Sequence, residues 1–307
     1  MNFSKKYTII FVLISIIFVS LYFSVKKYEN YENQQTIVSN LTRSSGFFSV
    51  LFFMLNHYIY SKYNNYNFKL NSDGWTYKSK DGWTDYFENI DMSSKDANVK
   101  NLAIHAYSYP TVIEEYTIMD YKKIIPEVYR YNANTKNEIY KKKTHLQLHD
   151  KQYDSIYIRR GDKIAETQFH DEKMYIELLL KKNPNSKVIF IQTDDYNSYL
   201  NLQKYIQDKK LNVTLLTLCD PNNKGASYDL VNSMNSEEIY KHTIDFIIDI
   251  DILINSNICV CDYSSNVARF IKLAHNNSNN VYDIINQETD IDYQKKYVRL
   301  IVFNIHR

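Results

Sequence analysis

From residue 154 to 275, short apolar runs alternate with helical patterns, and this alternation limits the fold more than any other feature of the chain. Ser155-Ile156-Tyr157-Ile158 alternates like a strand, and residues 173–182 have helical spacing. Residues 188–192, 213–218 and 257–261 are further strand candidates. Residues 199–209, 239–254 and a segment opening at Asn266 are the accompanying helices. This order predicts an α/β fold with a doubly wound parallel sheet. Ligands of such sheets bind outside the carboxyl ends of the strands. The polar residues at those ends are Arg159-Arg160, Asp194-Asp195 and Asp262 to Ser265.

The 307 residues suit two domains. The expected division is 1–27 for a cytosolic tail and membrane anchor, 28–43 for a polar stem, 44–150 for an N-terminal α/β domain and 151–307 for the doubly wound domain. Residues 47–60 read as a buried helix and 68–70 as a short strand. Residues 7–25 are uncharged and almost wholly apolar, between Lys5-Lys6 and Lys26-Lys27. At about 1.5 Å per residue this run reaches roughly 28 Å, close to the ~30 Å hydrocarbon core of a bilayer. It ends in Ser24-Val25-Lys26-Lys27 with no small-residue cleavage site, so an uncleaved type II signal-anchor is expected. The remainder would then lie in a secretory or Golgi-like lumen. Asn40, Asn212 and Asn276 open sequons compatible with that placement.

Only five glycines occur, and none are spaced as a phosphate-cradling loop. A bound nucleotide must therefore be held by side chains and helix N-termini. A formal charge of +2 gives no case for nucleic acid as a partner. Cys259 and Cys261 sit two apart in an apolar run and read as buried neighbours on one strand face. Arg159-Arg160-Gly161-Asp162-Lys163 follows a strand directly, and its cations suit a diphosphate leaving group. Glu166 and His170 follow closely, and either could serve as a general base. Asp194-Asp195 is an acidic pair that suits either a site or a helix cap. Asp249-Ile250-Asp251 has the spacing of a metal motif but lies inside an apolar helix, and a carboxylate there could instead accept from adjacent N–H groups of guanine. Ser264-Ser265-Asn266 opens a helix whose N–H groups can meet phosphate oxygens.

In order, these pieces resemble the α-1,6-fucosyltransferase family, which includes core and nodulation fucosyltransferases. The resemblance runs through Ser45-Gly46-Phe47-Phe48-Ser49, Gly74-Trp75-Thr76-Tyr77 and Asp81-Gly82-Trp83. It continues with Tyr157-Ile158-Arg159-Arg160-Gly161-Asp162-Lys163, Glu166, Phe169-His170 and Tyr175. Thr193-Asp194-Asp195, Ile248-Asp249-Ile250 and Val260 through Arg269 complete it. Related fucosyltransferases of other linkages share the arginine motif.

The resemblance implies a GT-B-like fold of two facing α/β domains, with GDP-fucose held by the C-terminal one. It also implies inversion at the fucose anomeric carbon, a glycan or glycoprotein acceptor containing GlcNAc, and no required metal or other cofactor. Arg159 would hold the β-phosphate, with Arg160, Asp162 and Lys163 shaping the same cluster. Glu166 would take the acceptor proton and Asp249 would read guanine. Ser265 and Asn266 would lie near the phosphates, while Gly46 and Tyr77 would close the donor site. Tyr157, Tyr175, Asp194 and Asp195 complete the expected binding residues. Tyr157 stands where the family has His, Phe48 where it has a second Gly, and the segment between Lys163 and Glu166 is one residue shorter. Transfer in another linkage such as α-1,2, and an inactive glycan-binding protein, are the alternative readings.

Overall fold

A computed structural model describes residues 15–22, 36–41, 46–91, 101–104, 116–161, 169–225 and 228–285. Helix α1 (residues 15–22) carries exposed Ile16, Ile17, Phe18, Val19, Leu21 and Tyr22. Among the described residues no helix is long and apolar enough to cross a membrane. The rest of the expected 7–25 span lies outside the described residues.

The N-terminal half is built on a parallel sheet of order β2-β1-β3. Its strands are β1 (Thr36–Asn40), β2 (Asn67–Asn71) and β3 (Asn101–Ile104). The expected stem therefore needs correction: its residues 36–40 form the central strand, where Thr36, Ile37 and Ser39 are buried. The polar side chains that disguised this strand have partners. Ser39 Oγ lies 2.9 Å from His57 Nδ1, and Asn71 donates to the Asn40 side chain over 3.0 Å. Burial pushes the His57 imidazole down to about 4, so it is neutral and serves packing.

Helix α2 (Phe47–Tyr63) is apolar nearly all round, as a helix enclosed on most sides must be. Helices α3 (Ile118–Val128) and α4 (Ala133–His145) follow. Thr117 and Asp120 form a capping box at the start of α3, and Asn132 caps α4.

The C-terminal half is the expected doubly wound sheet, of order β6-β5-β4-β7-β8 with every pair parallel. Its elements are β4 (Asp154–Ile158), α5 (Glu172–Lys182), β5 (Val188–Thr193), α6 (Tyr196–Asp208), β6 (Thr214–Leu216), α7 (Tyr228–Ser233), α8 (Ser236–Ile254), β7 (Cys259–Cys261), α9 (Asn266–Ala274) and β8 (Val281–Asp283). Alternation divides each strand between two cores. Ile156, Ile158, Ile189 and Ile191 pack with α5 and α6. Tyr157, Phe190, Cys259 and Cys261 face α8 and α9 on the other side, so the two cysteines share a buried face as expected.

That second core does not stop at the C-terminal half. It continues through Phe48 and Phe52 of α2, Tyr121 and Ile125 of α3, and Phe68 of β2. Phe48 fills its position with a ring centred 4.5 Å from Phe270 and 5.6 Å from Phe246. The N-terminus of α2 is thereby brought against α8 and α9.

Candidate active site

Strand β4 ends at Ile158, and the next two residues turn their guanidinium groups toward carboxylates from neighbouring elements. Arg159 makes a close ion pair with Asp194, which follows β5. The other Asp194 oxygen accepts the Arg160 backbone N–H at 2.7 Å, so one carboxylate ties both arginines to the sheet edge. Arg160 is only 7% exposed and donates to Glu172 and to the His170 carbonyl, each over 2.8 Å. The ring of Phe169 covers its guanidinium with 4.9 Å to the centroid, a cation–π contact. Burial pushes the Glu172 carboxyl up, but hydrogen bonds from Arg160 and Ser198 and from its own backbone N–H in the first turn of α5 hold it below the usual range.

Two glycines shape this loop. Gly161 has φ +59° and Gly225 φ +101°, left-handed conformations that cost other residues more. A Cβ on Gly225 would lie 2.6 Å from the Gly161 Cα, so the two backbones are in direct contact. The Gly225 N–H donates to the Asp194 carbonyl over 2.8 Å, and the Tyr196 N–H to the Asn223 carbonyl over 2.9 Å. Asp195 caps α6 through the Asn197 N–H.

The end of β7 supplies a second polar corner. Ser265 caps α9, accepting the Val267 N–H over 3.2 Å, and its hydroxyl lies 3.2 Å from the Tyr157 hydroxyl. Arg269, only 3% exposed, donates to the Tyr263 carbonyl at 2.8 Å and to the Asn266 side chain at 3.0 Å. It holds the strand-to-helix turn from below. The α9 N-terminus thus opens beside β4, where N–H groups and dipole favour an anion. Tyr175 of α5 is buried, and burial, with the Asp262 charge in the same direction, raises its phenol.

Asp249 lies inside α8, facing Gln192 of β5. Its carboxyl is pushed up to about 8, first by burial and then by Asp245, against Lys142 and Gln192, which favour the charged form. Cys219 is the link to the arginine loop, since its thiol feels Asp249, Asp194 and Asp195 together; burial raises it to about 11. Asp251 points away from Asp249 and pairs with Lys143 of α4. Residues i and i+2 of a helix face different directions, so the two carboxylates present no common metal site.

No protein-family model and no curated protein matches this sequence. Solved structures match its shape. A fucosyltransferase NodZ from Bradyrhizobium aligns with a TM-score of 0.56 at 9% identity, over 83% of this chain and 96% of its own. A NodZ α-1,6-fucosyltransferase soaked with GDP-fucose aligns with a TM-score of 0.54 at 10% identity, over 79% of this chain and 93% of its own. The fold is that of NodZ.

Within the NodZ-like fold, Arg159, Arg160 and Asp194 meet at one sheet edge, with Asp195 beside them as a cap. Tyr157, Ser265 and Asn266 form the neighbouring corner. Tyr77 reaches the residue next to Gly46: Gly46 opens α2, and the Phe47 N–H donates to the Tyr77 hydroxyl over 3.1 Å. The aromatic contacts of Phe47 and Phe48 with Phe246 place that helix start against α8. Asp162, Lys163 and Glu166 lie outside the described residues. Glu172, Gln192 and Arg269 were not among the expected site residues. Glu172 carried a signal, since Asp171-Glu172 is an acidic helix start beside the arginine motif.

Proposed function

We propose that this chain is a GDP-fucose-dependent fucosyltransferase that transfers fucose, with inversion and in α-1,6 linkage, to a GlcNAc-containing glycan. The observation that carries the reading is the arginine pair at the end of β4, fixed by Asp194 and Glu172 next to the α9 N-terminus. It occurs in a fold shared with a NodZ α-1,6-fucosyltransferase that was soaked with GDP-fucose. In this reading the two halves face each other in GT-B fashion. Arg159 exchanges Asp194 for the β-phosphate and stabilises the charge on departing GDP, while Arg160 fixes the loop. Ser265, Asn266 and the α9 N-terminus meet the phosphates. Asp162 and Lys163 join the cluster, and Glu166 takes the acceptor proton. The direct test is incubation of the full chain with GDP-fucose and a panel of GlcNAc-terminated glycans, with linkage read by α-1,6-specific fucosidase. Absence of both transfer and GDP binding overturns the proposal. Transfer resistant to that fucosidase assigns another linkage.

The leaving-group charge is met by side chains, so transfer should persist in excess EDTA. A loss restored by manganese would instead place a metal on the diphosphate.

Asp249 reads guanine only as a carboxylate. Burial holds its proton up to about pH 8, and the charged groups facing it are Asp245 of the same helix and Lys142 of α4. Binding of guanine N–H groups therefore releases a proton. GDP affinity should fall roughly tenfold per pH unit below that point and level off above it. A GDP titration at pH 6, 7, 8 and 9 checks the slope, and a flat profile removes Asp249 from the base contact.

The uncharged, almost wholly apolar run of residues 7–25 is what supports the reading of an N-terminal membrane anchor and a type II placement with the enzyme in a secretory lumen. Release of the full chain from membranes by alkaline carbonate would overturn that placement.

A further inference from the structure

Gln192 is the next-to-last residue of β5, directly opposite Tyr157 of β4 in the sheet register. Both side chains point to the α8 face. Gln192 is 8% exposed, yet its Oε1 has no hydrogen-bond partner. Asp249 Oδ1, on the helix that covers this part of the sheet, is also buried without a partner. The Gln192 side chain interacts with the Asp249 carboxyl and favours its charged form. Buried acceptors without donors are uncommon and costly, and once Asp249 is a carboxylate these two interacting side chains suit a ligand that carries two adjacent donors.

We propose that Gln192 determines nucleobase specificity together with Asp249, its Oε1 accepting the exocyclic amine of guanine while Asp249 accepts the ring N–H. The inference rests on the donor reading above and adds to it a second reading residue. Guanine has a ring N–H and an amino group side by side on one edge. Hypoxanthine has the ring N–H alone, adenine puts a ring acceptor in that place, and uracil flanks its single N–H with carbonyls. Only guanine satisfies both bare oxygens. The residue following Gln192 is Thr193 and then Asp194, so the strand that reads the base also delivers the carboxylate that holds Arg159.

Calorimetry of the full chain with GDP and with inosine diphosphate tests this, because the two ligands differ only in the amino group. The wild type should bind GDP about tenfold or more tightly than inosine diphosphate, the size of one hydrogen bond to a buried acceptor. In Gln192→Ala that ratio should fall to about twofold or less, with inosine diphosphate affinity little changed. Gln192→Met keeps the side-chain length without the acceptor and should give the same collapse, which covers the case in which the alanine variant does not fold. A preserved ratio in a folded variant overturns the role of Gln192 and leaves the donor reading standing. Failure of the wild type to bind GDP overturns the donor reading itself.

Discussion

Replacing Arg159 by alanine should lower fucose transfer about 10²–10³-fold while leaving the protein folded. The chemical reason is the leaving group: GDP departs with its new charge on the β-phosphate, and no glycine-rich loop is present to meet it. A preorganised guanidinium does most where charge develops and water is scarce. The structural reason for survival of the fold lies in Asp194. Its carboxylate loses the Arg159 ion pair but keeps the Arg160 backbone N–H at 2.7 Å, so it is not abandoned in the interior. Arg159→Lys should recover little, because a point charge replaces a planar fork that spans two oxygens. Steady-state turnover, with a thermal melt alongside, separates loss of chemistry from loss of fold. Near-normal turnover in either variant would remove Arg159 from the reaction.

Glu166→Gln should abolish measurable transfer and leave GDP affinity unchanged. An acceptor hydroxyl is a poor nucleophile, and a positioned base contributes about 10²–10⁴-fold by removing its proton as the new bond forms. His170 is the competing base, and the structure makes the two separable. Its described polar contact is through the backbone carbonyl, which accepts from Arg160 over 2.8 Å. His170→Ala keeps that carbonyl, so the arginine loop should stand and transfer should remain measurable. The opposite pattern, an active Glu166→Gln and an inactive His170→Ala, would give the base role to His170. Loss of GDP binding in Glu166→Gln would show that the residue holds the site together instead.

The C-terminal sheet was legible through β4, β5, β6 and β7, which are short apolar runs, whereas the three-residue edge strand β8 is too short for a pattern and was not expected. Ser155 to Ile158 and residues 188–192 became β4 and β5 with boundaries shifted by one residue. The apolar period starts helix α8 at residue 239, three residues late, although Asn235 and Glu238 have capping-box spacing that marks the true start. The N-terminal half was less readable for a physical reason. β1 buries Thr36 and Ser39 beside Ile37, so its polarity imitated a solvated stem. Helix α4 shows few apolar residues, since only Thr135 and Ile139 are buried along its length, and periodicity had little to act on. At the site, the arginines and Asp194 were readable from their place at strand ends. Glu172, Gln192 and Arg269 act through partners that are distant in sequence, and only the folded chain brings them there.

Arg159 and Arg160 each already face a carboxylate. The cluster is therefore not an open trap for anions. An orthophosphate or sulfate ion could offer Arg159 a charge much like the one it has in Asp194, and the exchange would gain almost nothing. A nucleotide sugar differs in length rather than in charge. Its base and ribose reach contacts far from the arginines, and those contacts can tip an exchange that is nearly neutral at the phosphate. In a cytosol or lumen full of small phosphates, such a pair of internal counter-ions filters by the reach of the molecule, admitting the long donor and ignoring the abundant fragments of it.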